Sequence, residues 1–355
     1  MIPMPHRDSP VWTDDEPLTC VMVIPEAPEV MTFSFRPASG ATFRFMAGQF
    51  ITLELPLPEG PVWRTYTISS SPITNSYLTV TVKAQPGSLG TRWMLDHLRP
   101  GMVLNARGPA GEFHLPTQPD GKYLFISAGS GVTPMMSMTT TLFERGDEPD
   151  ICFVQCANRP VDLIFRKRLE YMASRIAGLK LHFVVMGADP YEVWTGYRGT
   201  LNQLMLGLIC GDYLEREVYC CGPEGFMANV REILNSLHFD MSRYHQESFG
   251  AAPAPQPAVF DDRVPDEAVQ AQVIFTQSGI TRSCAETDTI LQVAKTAAIR
   301  MPSGCNFGLC GTCKVKKVSG EVHMVHNGGI SDSDIAEGYI LACCSHPIGA
   351  VTIEA

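Results

Sequence analysis

The sequence predicts a multidomain chain in the order antiparallel β-barrel, doubly wound α/β domain and a small separate C-terminal unit. Three observations predict it. The 355 residues exceed what one hydrophobic core organises, and 45% of them are hydrophobic, enough for two or three cores. The texture changes near Lys122, from short runs alternating apolar and polar residues to continuous apolar runs separated by segments of helical period. A proline-rich and then acidic stretch, 250–270, sets the last part of the chain apart.

Each part justifies its place. Residues 1–18 stand as an N-terminal segment. Within 19–117, residues 49–55 and 77–83 alternate apolar and polar, with Gly and Pro between such runs, as half-buried strands of a small antiparallel barrel do. Within 118–249, the apolar runs 123–126, 151–154, 181–185 and 217–220 alternate with helical period, for example from Phe165 to Ala177, so a parallel sheet covered on both faces is expected. Residues 250–270 lack the apolar content to fold and read as a linker, semi-rigid where the prolines cluster. Residues 271–355 form the final unit.

The net charge of -10, with no Lys/Arg-rich run, excludes the basic field that holds nucleic acid. The first eight residues carry no apolar signal region, and no stretch approaches the roughly 20 apolar residues of a membrane helix, so a soluble, cytoplasmic protein is expected. In that compartment the twelve cysteines point to metal ligation or buried thiols and away from disulfides.

Their spacing separates these readings. Cys305, Cys310 and Cys313, with a remote Cys343 or Cys344, follow the C-x4-C-x2-C…C pattern of plant-type [2Fe–2S] centres. Gly304, Gly308 and Gly311 suit a loop that bends sharply and turns backbone N–H groups toward sulfur. The alternatives are structural zinc, which favours paired C-x2-C knuckles, and thiols that merely pack. Cys20, Cys152, Cys156, Cys210 and Cys284 read as small buried side chains, and Cys220 as packing at a strand end.

Two glycine-rich turns precede helical segments. Gly87 to Thr91 offers exposed helix N–H groups to a pyrophosphate, the alternative being a plain hairpin before a capped helix. Gly129-Ser130-Gly131-Val132-Thr133-Pro134 follows a buried strand, where backbone N–H groups can meet a dinucleotide pyrophosphate. Met135, Met136 and Met138 beyond it read as helix core.

In this order the parts resemble ferredoxin–NADP reductase-like flavoproteins with a C-terminal ferredoxin domain, most closely hybrid-cluster-protein reductases and reductase components of Rieske-type oxygenases. The resemblance runs from about residue 19 to the C-terminus. It implies an antiparallel β-barrel flavin domain, an α/β nicotinamide-binding domain and an α+β (β-grasp) ferredoxin domain. In Arg64-Thr65-Tyr66-Thr67-Ile68-Ser69-Ser70 it implies that Tyr66 packs on the isoalloxazine, that the Thr67 hydroxyl approaches its N5 and that Arg64 meets phosphate, with Ser70 and Lys83 completing the flavin set. Gly90 and Thr91, the latter where the family commonly has Ser, fall at the pyrophosphate, and Gly108 to Phe113 resembles the segment that closes the barrel. Gly129, Gly131, Val132, Thr133 and Pro134 resemble the nicotinamide domain's turn and depart from G-x-G-x-x-G. Cys221-Gly222-Pro223 resembles the family's C-G-P motif, whose Cys sits beside the nicotinamide. Phe249 stands where the family places an aromatic residue on the flavin, and Leu341-Ala342-Cys343 resembles the context of the last iron ligand. Tyr66, Thr67, Cys221 and Phe249 are thus the catalytic candidates, and Cys305, Cys310, Cys313 and Cys343 the cluster ligands.

A nicotinamide gives up two electrons as hydride and the cluster takes one at a time, so a flavin must stand between them. FAD is expected over FMN, because of the pyrophosphate seat and Phe249. NADH is expected, with NADPH the alternative. Arg159, after the second parallel strand, suits a 2′-phosphate, yet 158–165 resembles a stretch also found in NADH users. The expected partner is a Rieske-type oxygenase, such as a demethylase for glycine betaine or a similar quaternary amine; the alternative is a hybrid-cluster protein. A non-enzymatic redox sensor is the reading from a different class. Residues 271–355 hold six Lys/Arg against seven Asp/Glu, so no strong acidic docking patch is expected there. Lys314, Lys316 and Lys317 read as a solvated strand face or the flank of a docking surface.

Overall fold

A computed structural model describes the chain except for residues 1–9, 85, 86, 118–120, 147, 250–264, 267, 304–307, 309, 310, 327, 328 and 331, and the side chains of 332 and 333. Cys305, Cys310 and most of the expected linker therefore lie outside the described residues. Two compact units divide at that linker.

The first unit begins with the barrel: β1 (Leu18–Ala27), β2 (Val30–Pro37), β3 (Phe50–Leu57), β4 (Gly60–Thr67), β5 (Leu78–Lys83), α1 (Leu89–His97), β6 (Val103–Leu104) and β7 (Ala106–Ala110). Its strands form two sheets, in the orders β5-β2-β1-β6 and β4-β3-β7. A bridge between Ile68 and Val80 and a hydrogen bond from Glu54 N–H to the Asn105 carbonyl (2.9 Å) join the sheets. Period-2 residues such as Ile51, Leu53 and Leu55 meet Phe33, Phe35 and Val80 in the core, and Met94 and Leu95 dock α1 on it. That docking fixes where the start of α1 stands.

The nucleotide domain follows as β8 (Lys122–Ala128), α2 (Val132–Arg145), β9 (Asp150–Ala157), α3 (Arg166–Ala173), β10 (Leu179–Val185), β11 (Tyr197–Arg198), α4 (Gln203–Ile209), β12 (Glu217–Cys221), α5 (Glu224–Ser236) and β13 (Tyr244–Glu247). Its sheet is parallel throughout, in the order β11-β10-β9-β8-β12-β13. Helices cover both faces, which is why β8 and β9 read as continuous apolar runs. Met135, Met136 and Met138 are buried in the core, as expected of helix interior. Strand order reverses between β8 and β12, so the crevice at their carboxyl ends is the switch point where ligands of such sheets bind. The fully buried Arg216 donates to both Asp212 carboxylate oxygens (2.8 and 2.7 Å) and to the carbonyls of Tyr123 (3.1 Å) and Asp150 (3.2 Å), tying together the amino ends of three strands. Barrel and nucleotide domain are also bonded, through the Ser137 hydroxyl on α2 to the Ser70 carbonyl at 2.6 Å.

The second unit comprises β14 (Gln270–Phe275), β15 (Ile280–Ala285), α6 (Ile290–Thr296), β16 (Lys314–Met324), α7 (Asp332–Ala336), β17 (Tyr339–Leu341) and β18 (Ser345–Ile353). The mixed sheet runs β15-β14-β18-β16-β17, with β14 and β18 parallel. Helix α6 starts in a capping box of Thr289 and Gln292 and buries Ile290, Leu291 and Ala294 against Val273, Phe275 and Val351. A helix grasped by a mixed sheet is the expected β-grasp. Among the described residues, no helix is long and apolar enough to cross a membrane.

Candidate functional site

Arg64 and Tyr66, two residues apart on β4, share one face of the strand. The first turn of α1 lies against them, because Gly90 has no side chain: a Cβ there would stand 3.2 Å from Leu55 Cδ1, 3.4 Å from Arg64 Cγ and 3.8 Å from Tyr66 Oη. A cleft of about 450 Å³ opens here, lined by Arg64, Gly87, Ser88, Leu89 and Gly90 opposite the β3–β4 hairpin. Ser88 caps α1 without a side-chain bond and the first turn holds no acidic residue, so the positive end of the helix is kept for an anion. Thr91 lies half-buried in the same turn. The Tyr66 hydroxyl is buried with no hydrogen-bond partner among the described residues, and burial holds its phenol well above the ordinary range. An arginine and the first turn of a helix lining one cleft, with an aromatic side chain packed behind Gly90, suit a flavin dinucleotide. Ser70 is engaged within the barrel, its hydroxyl accepting from Thr79 N–H at 3.0 Å. Lys83 is half-buried at the end of β5, opposite Val30.

At the switch point, two motifs ninety residues apart in the chain touch. A Cβ on Gly131 would fall 2.1 Å from the Cys221 carbonyl oxygen and 2.7 Å from Gly222 N, and one on Gly222 would fall 3.1 Å from Ala128 Cβ. The turn after β8 and the end of β12 therefore pack backbone to backbone. Thr133 donates to the Ser130 carbonyl at 3.0 Å, while Val132 and Pro134 are buried, so these three residues shape the turn. Pro223 caps α5 directly after Gly222. Cys221 sits between Ser127 of β8 and Glu247 of β13, fully buried. Burial pushes its thiol well above its ordinary 9.0, and the Glu247 charge adds to that, so the sulfur is a neutral thiol.

Glu247 also accepts a hydrogen bond from the Thr67 hydroxyl at 3.3 Å. This carboxylate, which no sequence motif singles out, thereby joins two catalytic candidates, Thr67 from the barrel and Cys221 from the sheet. Phe249, 42% exposed, follows two residues later. Arg159 stands apart from this group, in the turn after β9, with its guanidinium paired to Asp162.

In the second unit, Cys313 and Cys343 come together from the two ends of the motif. Cys343 N–H donates to Cys313 Sγ at 3.4 Å, and Gly308 N–H donates to Cys343 Sγ at 3.3 Å. Cys344 turns its thiol to the Leu341 carbonyl instead, at 3.7 Å. Gly308 and Gly311 adopt φ of 75° and 71°, and a Cβ on Gly311 would reach within 2.9 Å of the Gly329 carbonyl oxygen, so the glycines permit the bend. Backbone donors aimed at sulfur suit ligating thiolates. Lys314 and Lys316 are exposed and flank the Tyr339 ring at 5.8 and 5.5 Å, Lys314 also lying 3.3 Å from Asp334.

Residues 21–115 match the oxidoreductase FAD-binding domain family, 125–232 the oxidoreductase NAD-binding domain family and 273–347 the 2Fe-2S iron-sulfur cluster binding domain family. The stachydrine N-demethylase reductase subunit of Rhizobium meliloti is 60% identical over 97% of this chain and 98% of its own length. The chain belongs to the ferredoxin–NADP reductase-like flavoprotein reductases that end in a [2Fe–2S] domain. The glycine betaine monooxygenase reductase subunit of Pseudomonas aeruginosa, 43% identical over 97% of this reductase and 96% of the relative, is a second member. In solved structures the fold recurs in phthalate dioxygenase reductase, with a TM-score of 0.61 and 24% identity over 97% of this chain and 100% of that one. This reductase is an oxidoreductase that uses FAD, NADH and a [2Fe–2S] cluster to pass electrons to a separate terminal enzyme. The expectation of an enzyme, as against a non-enzymatic sensor, is thereby met, and a hybrid-cluster partner gains no support from these relatives.

Proposed function

We propose that the partner is a Rieske-type oxygenase that N-demethylates a quaternary amine of the stachydrine or glycine betaine class, and that both work in the cytoplasm. The observation that carries the reading is the 60% identity, over nearly the whole of both chains, with a stachydrine N-demethylase reductase subunit.

The domain limits proposed are those read from the sequence: flavin barrel 19–117, nicotinamide domain 118–249, linker 250–270 and ferredoxin domain 271–355. Arg64, Gly90 and Thr91 hold the FAD pyrophosphate, supported by the cleft they line or adjoin. Tyr66 and Phe249 cover the isoalloxazine, and Ser70 and Lys83 complete its surroundings. A flavin held there by these residues would supply the two-electron to one-electron conversion that joins a nicotinamide to an iron–sulfur centre. Gly129, Gly131, Val132, Thr133 and Pro134 form the coenzyme turn, and Gly222 and Pro223 close it from the other strand. Cys221, neutral and buried, presents an uncharged polarizable wall to the nicotinamide and excludes water. Thr67 orients its hydroxyl by donating to Glu247 Oε2. Cys305, Cys310, Cys313 and Cys343 ligate the iron, the hydrogen bonds at Cys313 and Cys343 supporting the choice of Cys343 over Cys344.

Reconstitution with the Rieske oxygenase of each class tests the reading, with NADH-dependent formaldehyde release from stachydrine or glycine betaine as the readout. A protein that reduces ferricyanide with NADH but supports neither demethylation would refute the partner assignment while leaving the reductase intact.

A further inference from the structure

A row of hydroxyls crosses the barrel sheet on the face turned away from the core, and ends on a carboxylate. Glu26 Oε1 accepts from the Thr32 hydroxyl at 2.8 Å, and Thr32 Oγ1 lies 2.7 Å from Thr81 Oγ1. Ser69 Oγ lies 2.9 Å from Thr81 Oγ1 and 2.9 Å from Thr79 Oγ1. Thr32, Thr81, Ser69 and Thr79 are buried, and Glu26 is half-buried. Three features of the strands build this row. Thr32 and Thr81 stand directly opposite each other in the β2–β5 ladder. Glu26 is the extra residue of a bulge in β1, since Pro25 pairs with Met31 and Ala27 with Val30, and a bulge re-aims the side chain it carries. Ile68 enters the barrel core, so its neighbours Thr67 and Ser69 share the opposite face.

One carboxylate fixes the direction of every bond. An ionised Glu26 can only accept, and each hydroxyl has a single proton to give. Thr32 gives its proton to Glu26, so Thr81 must donate to Thr32, Ser69 to Thr81 and Thr79 to Ser69. When Glu26 is protonated it donates to Thr32 and the row reverses, with the Thr79 carbonyl, 3.3 Å from Ser69 Oγ, as an acceptor at the far end. A row with two opposite orientations, set by the proton on its terminal acid, has the form of a proton relay. The redox chemistry supplies the proton. A nicotinamide gives up hydride, and an iron–sulfur centre takes electrons alone, so each NADH leaves a proton to be cleared from the flavin site. Ser69 lies inside the flavin motif, between Thr67 and Ser70.

We propose that Glu26 is a proton outlet of the flavin site, working through Thr32, Thr81 and Ser69. A proton arriving at a free lone pair of Ser69 Oγ sends that hydroxyl's own proton to Thr81, the Thr81 proton to Thr32 and the Thr32 proton to Glu26 Oε1. Each hydroxyl oxygen breaks one O–H bond as it forms another, no electrons move, and Glu26 then gives the proton to solvent. Burial raises the Glu26 carboxyl above its ordinary range, against the Thr32 bond and the Arg168 charge, in keeping with a group that holds a proton in passing. The inference rests on the flavin lying against Arg64–Ser70.

The test uses the full-length holoprotein and follows electrons and protons separately. Photoreduced protein, free of NADH, is mixed with ferricyanide in weakly buffered solution; flavin absorbance reports the electrons and a pH-indicator dye the proton. In the wild type the proton is expected to appear together with flavin oxidation. Thr81→Val, which removes the hydroxyl and keeps the shape, and Glu26→Leu are each expected to delay the proton about tenfold or more. The double variant should delay it no further, because both changes cut the same row, and Thr81→Ser should not delay it at all. Acetate should restore the rate in Glu26→Leu, where the outlet itself is missing, and not in Thr81→Val, where the gap is buried. Hydride transfer draws no proton through the protein, so flavin bleaching by NADH should keep its wild-type rate in all four. Proton release at the wild-type rate in both Thr81→Val and Glu26→Leu, additive delays in the double variant, or equal losses in bleaching and proton release would overturn the inference. An Arg64→Ala protein that keeps its full complement of FAD would overturn the placement of the flavin, and the inference with it.

Discussion

Gly131→Ala tests the contact between the coenzyme turn and the end of β12. Gly131 has φ of -62°, a value open to any residue, so the added methyl is opposed by space alone. That opposition is severe, since the methyl carbon would lie 2.1 Å from the Cys221 carbonyl oxygen, 2.4 Å from its carbon and 2.7 Å from Gly222 N. All three are main-chain atoms of a strand held on both sides, which no rotamer change can move. Restoring ordinary contact needs a retreat of roughly 1 Å by the turn, a strain of about 1–3 kcal/mol. A displacement of that size at a reacting centre lowers the rate by about 10²-fold. Gly129→Ala is the control: its φ is +56° but nothing lies within 4 Å, so it costs the left-handed penalty of about 1–2 kcal/mol and leaves the turn in place. Both proteins are expected to lose a few degrees of thermal midpoint, and only Gly131→Ala to lose NADH-dependent ferricyanide reduction. A Gly131→Ala protein with wild-type kcat/KM would refute the packing argument.

Four further outcomes are expected. Cys343→Ser should abolish the visible absorption of the iron–sulfur centre in the anaerobically purified protein, while Cys344→Ser keeps it; the reverse pattern would assign the wrong thiol. Thr67→Val and Glu247→Gln should each slow flavin bleaching by NADH in stopped flow by about tenfold or more, with the flavin still bound. Because burial and Glu247 keep Cys221 protonated, Cys221→Ser should leave the pH profile of flavin reduction unchanged from about pH 6 to 9, although its amplitude falls. The Asp212 carboxylate is held at about 2 by its hydrogen bonds to Arg216, below its ordinary 3.8. Its stabilisation is therefore complete above pH 3.8 and lost as pH falls through 2. Asp212→Asn should cost about 1–2 kcal/mol near neutrality, after discounting for a side chain that is 35% exposed, and the gap to wild type should close in acid.

The three folds were legible because each has its own hydrophobic period: alternation at 49–55, continuous apolar runs at 123–126 and 151–154, and a compact cysteine loop after the prolines. The glycine motifs were legible as turns because they stand between a strand and a helix. What escaped the sequence is what depends on distant chain segments meeting. Nothing near Glu247 marks it as a partner of Thr67, 180 residues earlier, and the two meet only because β13 adds to the sheet beside β12. Arg159 was legible as a cation at the right strand end, but its neutralisation was not, since Asp162 becomes opposed to it only once Pro160 starts a 3-10 turn. In the sequence the neighbouring Cys343 and Cys344 could be told apart only by family context, and the hydrogen bonds at Gly308 and Cys343 support the same choice.

The bond from Ser137 to Ser70 bears on how such proteins can be recombined. Helix α2 begins at the coenzyme turn and, less than two turns later, is fastened to Ser70, the last residue of the flavin motif. One helix thus acts as the fixture that sets the spacing between the two redox partners. A barrel exchanged with that of a relative would inherit a foreign seat for α2 and misplace the coenzyme, however well each half folded. The joint at which modules of this lineage can be swapped therefore lies after Phe249, between reductase and ferredoxin, and not at the earlier boundary where the sequence changes its texture.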